Sequence, residues 1–165
     1  MRFRDDRGGF TLVEVMIALA ILAIVVVIAV SNFQGMMEKY RVEDETKQMF
    51  AHLMDARGRA MQRNRAFFVD VNVHDYQTYE DSFPAPNGNG ALDNDTLVAN
   101  VMVRHDIATT IPGGTFRFSR NGIASEEGWI RFSSTAEADY DCITVIATRV
   151  KMGKFNTGTD RCDEK

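Results

Sequence analysis

The longest hydrophobic pattern in the chain is an unbroken apolar run from Phe10 to Val30, FTLVEVMIALAILAIVVVIAV. A helix of that length extends about 30 Å, the thickness of the hydrocarbon core of a bilayer. Its apolar side chains would lie on all sides rather than along one stripe, so the pattern predicts a membrane span and not a surface helix. Arg2, Arg4 and Arg7 precede the run, and the positive-inside bias therefore places the N-terminus in the cytoplasm and the remainder outside.

Helical spacing of apolar residues continues after the run. The residues that carry it are Phe33, Met36, Met37, Tyr40, Met49, Phe50, Leu53, Met54 and Met61. No proline interrupts this stretch, so we predict one helix from about residue 10 to about residue 65. Its stripe of Met49, Phe50, Leu53 and Met54 is expected to face the body of the protein.

Beyond residue 65 the period changes to two, with Val69, Val71 and Val73 on one side of a predicted strand. Further strand candidates are 97–104, 115–120, 129–133 and 142–150, and a loop rich in Pro, Gly, Asn and Asp covers 81–95. The pair Asn121-Gly122 predicts a tight hairpin turn with positive φ at both residues. No helices alternate with these strands, so the expected fold class is α+β, with the long helix packed on an antiparallel β-sheet lobe.

Glu14 is the only charged residue from Gly8 to Met37. A carboxylate in hydrocarbon costs about 2 to 3 kcal/mol near the centre of a span, so such a residue normally has a partner. A cut between Gly9 and Phe10 would create an amino group about one helical turn from Glu14. Between staggered neighbouring helices, each Glu14 could neutralise the amine of another subunit.

The sequence RGGFTLVEVMIALAILAIV resembles the cleavage and anchor signature of type IV prepilins and type II secretion pseudopilins. The resemblance implies that a prepilin peptidase cuts after Gly9 and methylates the Phe10 amine, and that Glu14 is the assembly acid. We accordingly expect a leader at 1–9, a transmembrane and filament-core half-helix at 10–36, and a periplasmic globular domain at 37–165. The expected location is the bacterial inner membrane, followed by a pilus or pseudopilus. The expected partners are other pilins or pseudopilins, the peptidase and the inner-membrane assembly platform.

The segments TFRFSRNGIAS, WIRFSS and CITVIATRVKMGKF resemble the GspH/FimT group of minor pilins and pseudopilins. This second resemblance implies a low-abundance structural subunit. Alternatives are a minor pilin that binds DNA for uptake and a membrane-anchored periplasmic binding module that does not polymerise. For the apolar run alone, a cleaved signal peptide, a plain anchor and a buried core helix also remain open.

Charge is distributed unevenly over the 165 residues, whose formal net charge is -4. The tail from residue 149 onward has five basic residues against three acidic ones. Arg149, Lys151, Lys154 and Arg161 are thus candidate contacts to DNA phosphates, although an acidic protein is a poor general binder of nucleic acid.

Cys142 and Cys162 are the only cysteines and follow the predicted span. Disulfides are permitted outside the cytoplasm, so a bond between them is predicted, the alternative being a buried thiol and a disordered tail.

No motif for catalysis, a cofactor or zinc appears: His52, His74 and His105 are scattered, and no phosphate loop or nucleophile motif is present. We therefore expect a structural protein without catalytic residues, resident metal or cofactor. Asp93 and Asp95 with Asn87, Asn89 and Asn94 leave calcium in the loop as an open alternative.

Overall fold

The computed structural model describes residues 9–85 and 88–165, with positions 29, 31 and 32 described by their backbone alone. The predicted leader, apart from Gly9, and the calcium candidate Asn87 lie outside the described residues. Within the described residues, helix α1 runs from Leu12 to Arg63. The predicted long N-terminal helix is thus confirmed, and it continues unbroken through Gly35 and Gly58.

The chain divides into two compact units, the first ending at Met37 and the second comprising Glu38–Lys165. The first unit contains the apolar half of α1. Every side chain described from Phe10 to Val30 is exposed, with Leu12 at 76% and Val27 at 71%. This half-helix therefore presents apolar surface on all sides, as expected for a helix that is solvated by lipid or by other helices.

In the residues that the structure describes, the second unit contains the rest of α1 and nine strands. The strands are β1 Phe67–Val71, β2 Asp75–Glu80, β3 Thr96–Met102, β4 Ile107–Thr109, β5 Thr115–Phe118, β6 Gly128–Phe132, β7 Cys142–Ile146, β8 Arg149–Asn156 and β9 Arg161–Glu164. A short 3-10 turn at Pro112–Gly114 precedes β5. All strand pairs are antiparallel, which confirms that prediction.

Over the described ranges the strands form two sheets, where the sequence predicted one. The first has the order β3-β2-β1-β5 and the second the order β4-β6-β7-β8-β9. The predicted strand at 142–150 is two strands, β7 and β8, joined by a turn at Ala147 and Thr148. Strand β1 ends at Val71, and Val73 is 53% exposed in the turn to β2, where the Asn72 amide donates to the Asp75 carbonyl at 2.9 Å.

The helix contributes one buried stripe to the core of the second unit. Its members are separated by alternating steps of four and three residues: Val42, Thr46, Met49, Leu53, Ala56 and Ala60. This stripe packs in one apolar cluster with alternate residues of both sheets, including Phe67, Val69, Phe118, Ile130 and Val145. Met49 and Leu53 are buried as predicted, but Met54 is 40% exposed because it lies one position beyond the stripe.

The turn at Asn121-Gly122 lies where it was predicted, but its geometry differs. The Gly122 amide donates to the Ser119 carbonyl at 2.7 Å, so Arg120 and Asn121 are the central residues of the turn. Only Gly122 has positive φ, at 72°. The expected positive φ at Asn121 is wrong, because this loop is a tight turn followed by one left-handed residue rather than a two-residue hairpin.

Candidate functional site

Helix α1 begins at the predicted processing site. Gly9 and Phe10 precede it as exposed, non-helical residues, and Phe10 is 84% exposed. The Thr11 hydroxyl accepts a hydrogen bond from the Glu14 amide at 3.2 Å. A threonine before the first helical residue, bound to the amide three positions on, is a helix N-cap. The bond between Gly9 and Phe10 therefore lies just outside the regular helix, in exposed backbone.

The local motif at this helix start is Thr-x-x-Glu, a capping-box spacing that is visible in the sequence as Thr11 and Glu14. It places Glu14 in the first turn of α1, where a negative charge interacts favourably with the helix dipole. Glu14 is exposed in the described chain. The same two residues thus define where the helix begins and place one acid in its first turn.

The apolar half of α1 is long and hydrophobic enough to cross a membrane, and the most apolar window of the helix has none of its residues buried. Burying one large aliphatic side chain is worth about 1.5 to 3 kcal/mol relative to leaving it in water. A helix with so many exposed aliphatic residues is therefore strongly driven into a bilayer or against other apolar helices.

A histidine clamp, formed by His105, Glu38 and Glu45, holds the helix to the loop between β3 and β4. His105 is 9% exposed, and its Nε2 and Nδ1 atoms lie 2.7 Å from Glu38 Oε1 and Glu45 Oε2, respectively. Glu45 Oε1 also accepts from the Arg104 amide at 2.9 Å. Only a doubly protonated imidazolium can donate one hydrogen bond from each ring nitrogen to a carboxylate.

Protonation of the histidine clamp follows from these contacts. Burial disfavours the charged ring, but the hydrogen bonds to Glu38 and Glu45 outweigh it and raise the pKa of His105 above its usual 6.5. The hydrogen bond from His105 in turn lowers the pKa of Glu38. The clamp is therefore an ionic contact between residues about sixty positions apart, and no local motif predicts it.

A second contact joins the helix to the segment before β7. Lys39 Nζ donates to Asp139 Oδ2 at 2.8 Å, and the Asp139 amide donates to Glu43 Oε1 at 3.0 Å. The hydrogen bond to Lys39 lowers the pKa of Asp139. Together with the histidine clamp, it fixes the first turns of the helix within the second unit.

Cys142 and Cys162 form a disulfide, as predicted. It connects β7 to β9, which lie on opposite sides of β8, with the two Cα atoms 5.9 Å apart. Gly153 of β8 pairs with Cys142 on one side and Glu164 on the other. A Cβ at Gly153 would lie 2.1 Å from the Asp163 carbonyl oxygen, so only glycine permits this close approach of β9.

The basic tail proposed for DNA contacts carries acidic partners. Lys151 Nζ lies 2.7 Å from Glu164 Oε2, and Arg149 lies 3.9 Å from the same oxygen. Lys154 pairs with Glu137 at 3.4 Å. Arg161 is exposed on β9. Three of the four candidate cations therefore face a carboxylate of this chain, which weakens the attraction that they offer to phosphate.

The remaining candidate chemistry has structural partners. His52 Nδ1 and the Tyr76 hydroxyl are 2.7 Å apart, and His74 lies 3.1 Å from Asp106. Asp95 accepts from the Ser82 and Phe83 amides at 2.8 and 3.0 Å, and Asp93 bonds to the Asn89 side chain. Within 9–85 and 88–165, no three His, Cys, Asp or Glu residues are grouped so that they could hold a metal ion.

Comparison with known families agrees with the description of both the helix start and the second unit. Residues 4–30 match the prokaryotic N-terminal methylation motif. Residues 45–148, well over half of the chain, match the family of the type II transport protein GspH. None of the curated proteins matches the chain by sequence.

A solved structure shares the fold. The chain is similar to the minor pseudopilin EpsH from the type 2 secretion system of Vibrio cholerae, with a TM-score of 0.51 and 10% sequence identity. The alignment covers 69% of this chain and 97% of that one. At this identity the likeness is one of architecture, a long helix packed on antiparallel sheets.

Proposed function

The chain belongs to the GspH family of type II transport proteins and is a minor pseudopilin or pilin subunit of type II secretion or type IV pili; from this premise we propose how it is processed and assembled. A prepilin peptidase cuts after Gly9 and methylates the new Phe10 amine. The subunit first resides in the bacterial inner membrane, with its N-terminus in the cytoplasm and its body in the periplasm. It then enters a filament through the apolar half of α1.

One observation carries this proposal: the apolar half of α1 is exposed on all sides and begins at a capped turn with a single acid. A bilayer and a bundle of like helices both remove that surface from water. When the apolar half of α1 moves from the membrane to the filament, its surface therefore stays out of contact with water. The subunit acts by assembly and needs no enzymatic turnover.

Glu14 provides the specific contact between subunits in this assembly. An apolar environment penalises an unpaired carboxylate, and a neighbouring subunit's Phe10 amine offsets the penalty. The amine exists only after cleavage, so the uncut chain lacks the positive partner. In this proposal processing and filament entry are coupled through one ion pair between subunits.

The test is the mass of the mature N-terminus after expression with the prepilin peptidase and the other subunits. We expect a chain that begins at Phe10 and carries one additional methyl group. An intact leader would refute the processing proposal and favour the non-polymerising membrane-anchored module.

The role of Glu14 is tested separately with Glu14→Gln and with Asp44→Asn, which removes an exposed acid farther along the same helix. Removing one partner of a buried charge pair costs about 2 to 5 kcal/mol. We therefore expect Glu14→Gln to be cut normally but to reach the filament fraction at about a tenth of the normal amount or less. Normal incorporation of Glu14→Gln alongside Asp44→Asn would disprove the pairing.

A further inference from the structure

An arginine-lined cleft lies in the second unit where the end of α1, the loop after β2 and the end of β5 meet. Its volume is about 600 Å³, and its charged lining consists of Arg65, Arg117, Arg120 and Asp81. We call it the arginine cleft. Nothing in the assembly role described above uses it.

The negative charge of Asp81 is already engaged by its own loop. Asp81 is 4% exposed, and its two carboxylate oxygens accept from the Asn89 and Gly90 amides at 3.0 and 2.9 Å. Next to the cleft, Glu80 is held by both Arg63 and Arg65. The cleft lining thus carries three arginines and one carboxylate, in a protein whose formal net charge is -4.

Two arginines remain available for an incoming anion. Arg117 donates Nη1 to the Gly90 carbonyl, a neutral acceptor that holds the guanidinium against the loop. Arg120 is exposed in the tight turn after β5. Within the described part of the chain, neither guanidinium forms an ion pair with a carboxylate. Planar guanidinium groups held in place are well suited to bind carboxylates through paired hydrogen bonds.

A second groove adjoins the arginine cleft and shares Gly90 and Arg117 with it. This groove of about 350 Å³ has a mixed lining, which includes the apolar residues Ala91 and Leu92 and the polar residues Thr115, Ser125 and Glu126. Phe116 is 2% exposed and offers no open ring face for a nucleic-acid base to stack on. The neighbouring amides of Asn89 and Gly90, which could otherwise contribute to a phosphate site, donate to Asp81 instead.

We propose that the arginine cleft binds a carboxylate of an acidic peptide segment from another protein. Arg117 and Arg120 hold the carboxylate, and Gly90 keeps Arg117 in position. An alanine at position 90 would bring its Cβ to 2.6 Å from Arg117 Nη1 and displace that guanidinium. The carboxylate comes from an acidic side chain or from a chain terminus.

The test uses the full chain in uncharged detergent micelles and fluorescence anisotropy of a labelled hexaglutamate peptide with an amidated C-terminus. We expect saturable binding that weakens with added salt, and no binding of the matched hexaglutamine peptide. Arg120→Gln should weaken binding about fivefold or more without changing the unfolding midpoint, because its side chain lies in the exposed turn. Arg161→Gln removes the same charge outside the cleft and should bind like the unaltered chain.

Competitors identify the ligand chemistry. Displacement by an alanine peptide with a free C-terminus, but not by its amide, would support the proposal and assign a chain terminus as the carboxylate source. Equal affinities of Arg120→Gln and Arg161→Gln would overturn it. So would displacement by inorganic phosphate or by an oligothymidylate at lower concentrations than hexaglutamate requires. None of these outcomes depends on leader cleavage or on filament entry.

Discussion

Replacing Gly153 with alanine tests how β9 is attached to the second sheet. The Cβ of Gly153→Ala would lie 2.1 Å from the Asp163 carbonyl oxygen and 3.0 Å from Cys162 Sγ. A carbon and a carbonyl oxygen approach to about 3.3 Å in the closest favourable contacts, so β9 must move by about 1 Å. The atom in the way belongs to the backbone, and no side-chain rotation relieves the overlap.

The expected cost can be compared with that of a matched glycine in the same hairpin. Overpacking of this kind costs about 1 to 3 kcal/mol. At Gly158 the closest atom to an added Cβ is the Asn156 side-chain oxygen at 3.3 Å, so Gly158→Ala should stay within about 0.5 kcal/mol of the unaltered chain. Both substitutions lower the conformational entropy of the unfolded chain, which stabilises the fold by about 0.4 to 1 kcal/mol in each case. Subtracting the free energies of unfolding of the two variants cancels this shared effect.

Trp129 provides the assay, because it is the only tryptophan and its ring packs edge-on against Phe155 of β8 at 4.7 Å. Its fluorescence therefore reports the unfolding of this sheet during guanidinium titration of the oxidised chain in detergent micelles. We expect Gly153→Ala to unfold with a free energy about 2 kcal/mol below that of Gly158→Ala. Identical midpoints and slopes for the two variants would show that β9 does not approach β8 as closely as described.

Three further predictions concern the second unit. Leu53→Ala, at a side chain that is 1% exposed, should lower the free energy of unfolding by about 2 to 5 kcal/mol, whereas Met54→Ala, its exposed neighbour, should change it by less than about 0.5 kcal/mol in the same titration. His105 has a raised pKa, so its stabilising effect is complete below its usual value of 6.5 and is lost as the pH rises through the higher folded value. His105→Gln should therefore be less stable than the unaltered chain at pH values below 6.5, and its stability should not show this loss. Parallel pH profiles of the free energy of unfolding for the two chains would contradict the ionic clamp. Joint replacement of Cys142 and Cys162 by serine should cost about 3 kcal/mol by the loop-entropy argument and should make the tail after β8 sensitive to protease; unchanged thermal unfolding would show that strand pairing alone retains the tail.

The apolar half of α1 could be predicted as one long helix from the sequence because each of its signals is local. The run of apolar residues, the acid within it and the glycine before it are contiguous, and a continuous helix needs only local hydrogen bonds. The change of period after residue 65 likewise marked the boundary between helix and strands. The Thr11-Glu14 cap is likewise a local signal, because its two residues are three positions apart.

The strands that escaped prediction lack a local signature. Strand β4 has only three residues, too few to show a period. Strand β2 reads DYQTYE and β9 reads RCDE, so neither shows apolar alternation. These three segments become strands because β1, β6 and β8 offer unpaired edges to β2, β4 and β9, respectively. The break between β7 and β8 falls at Ala147 and Thr148, which are not turn-forming residues, and the period alone could not reveal it.

The amino-acid sequence by itself determined the long helix, its membrane-length apolar half, the processing motif and the α+β class. Only the tertiary structure decided the division into two sheets, the histidine clamp and the arginine cleft, because each unites residues that are far apart in the chain. Helical period and composition depend on near neighbours, whereas an ion pair between Glu45 and His105 or a cleft between a helix end and two loops depends on the path of the whole backbone.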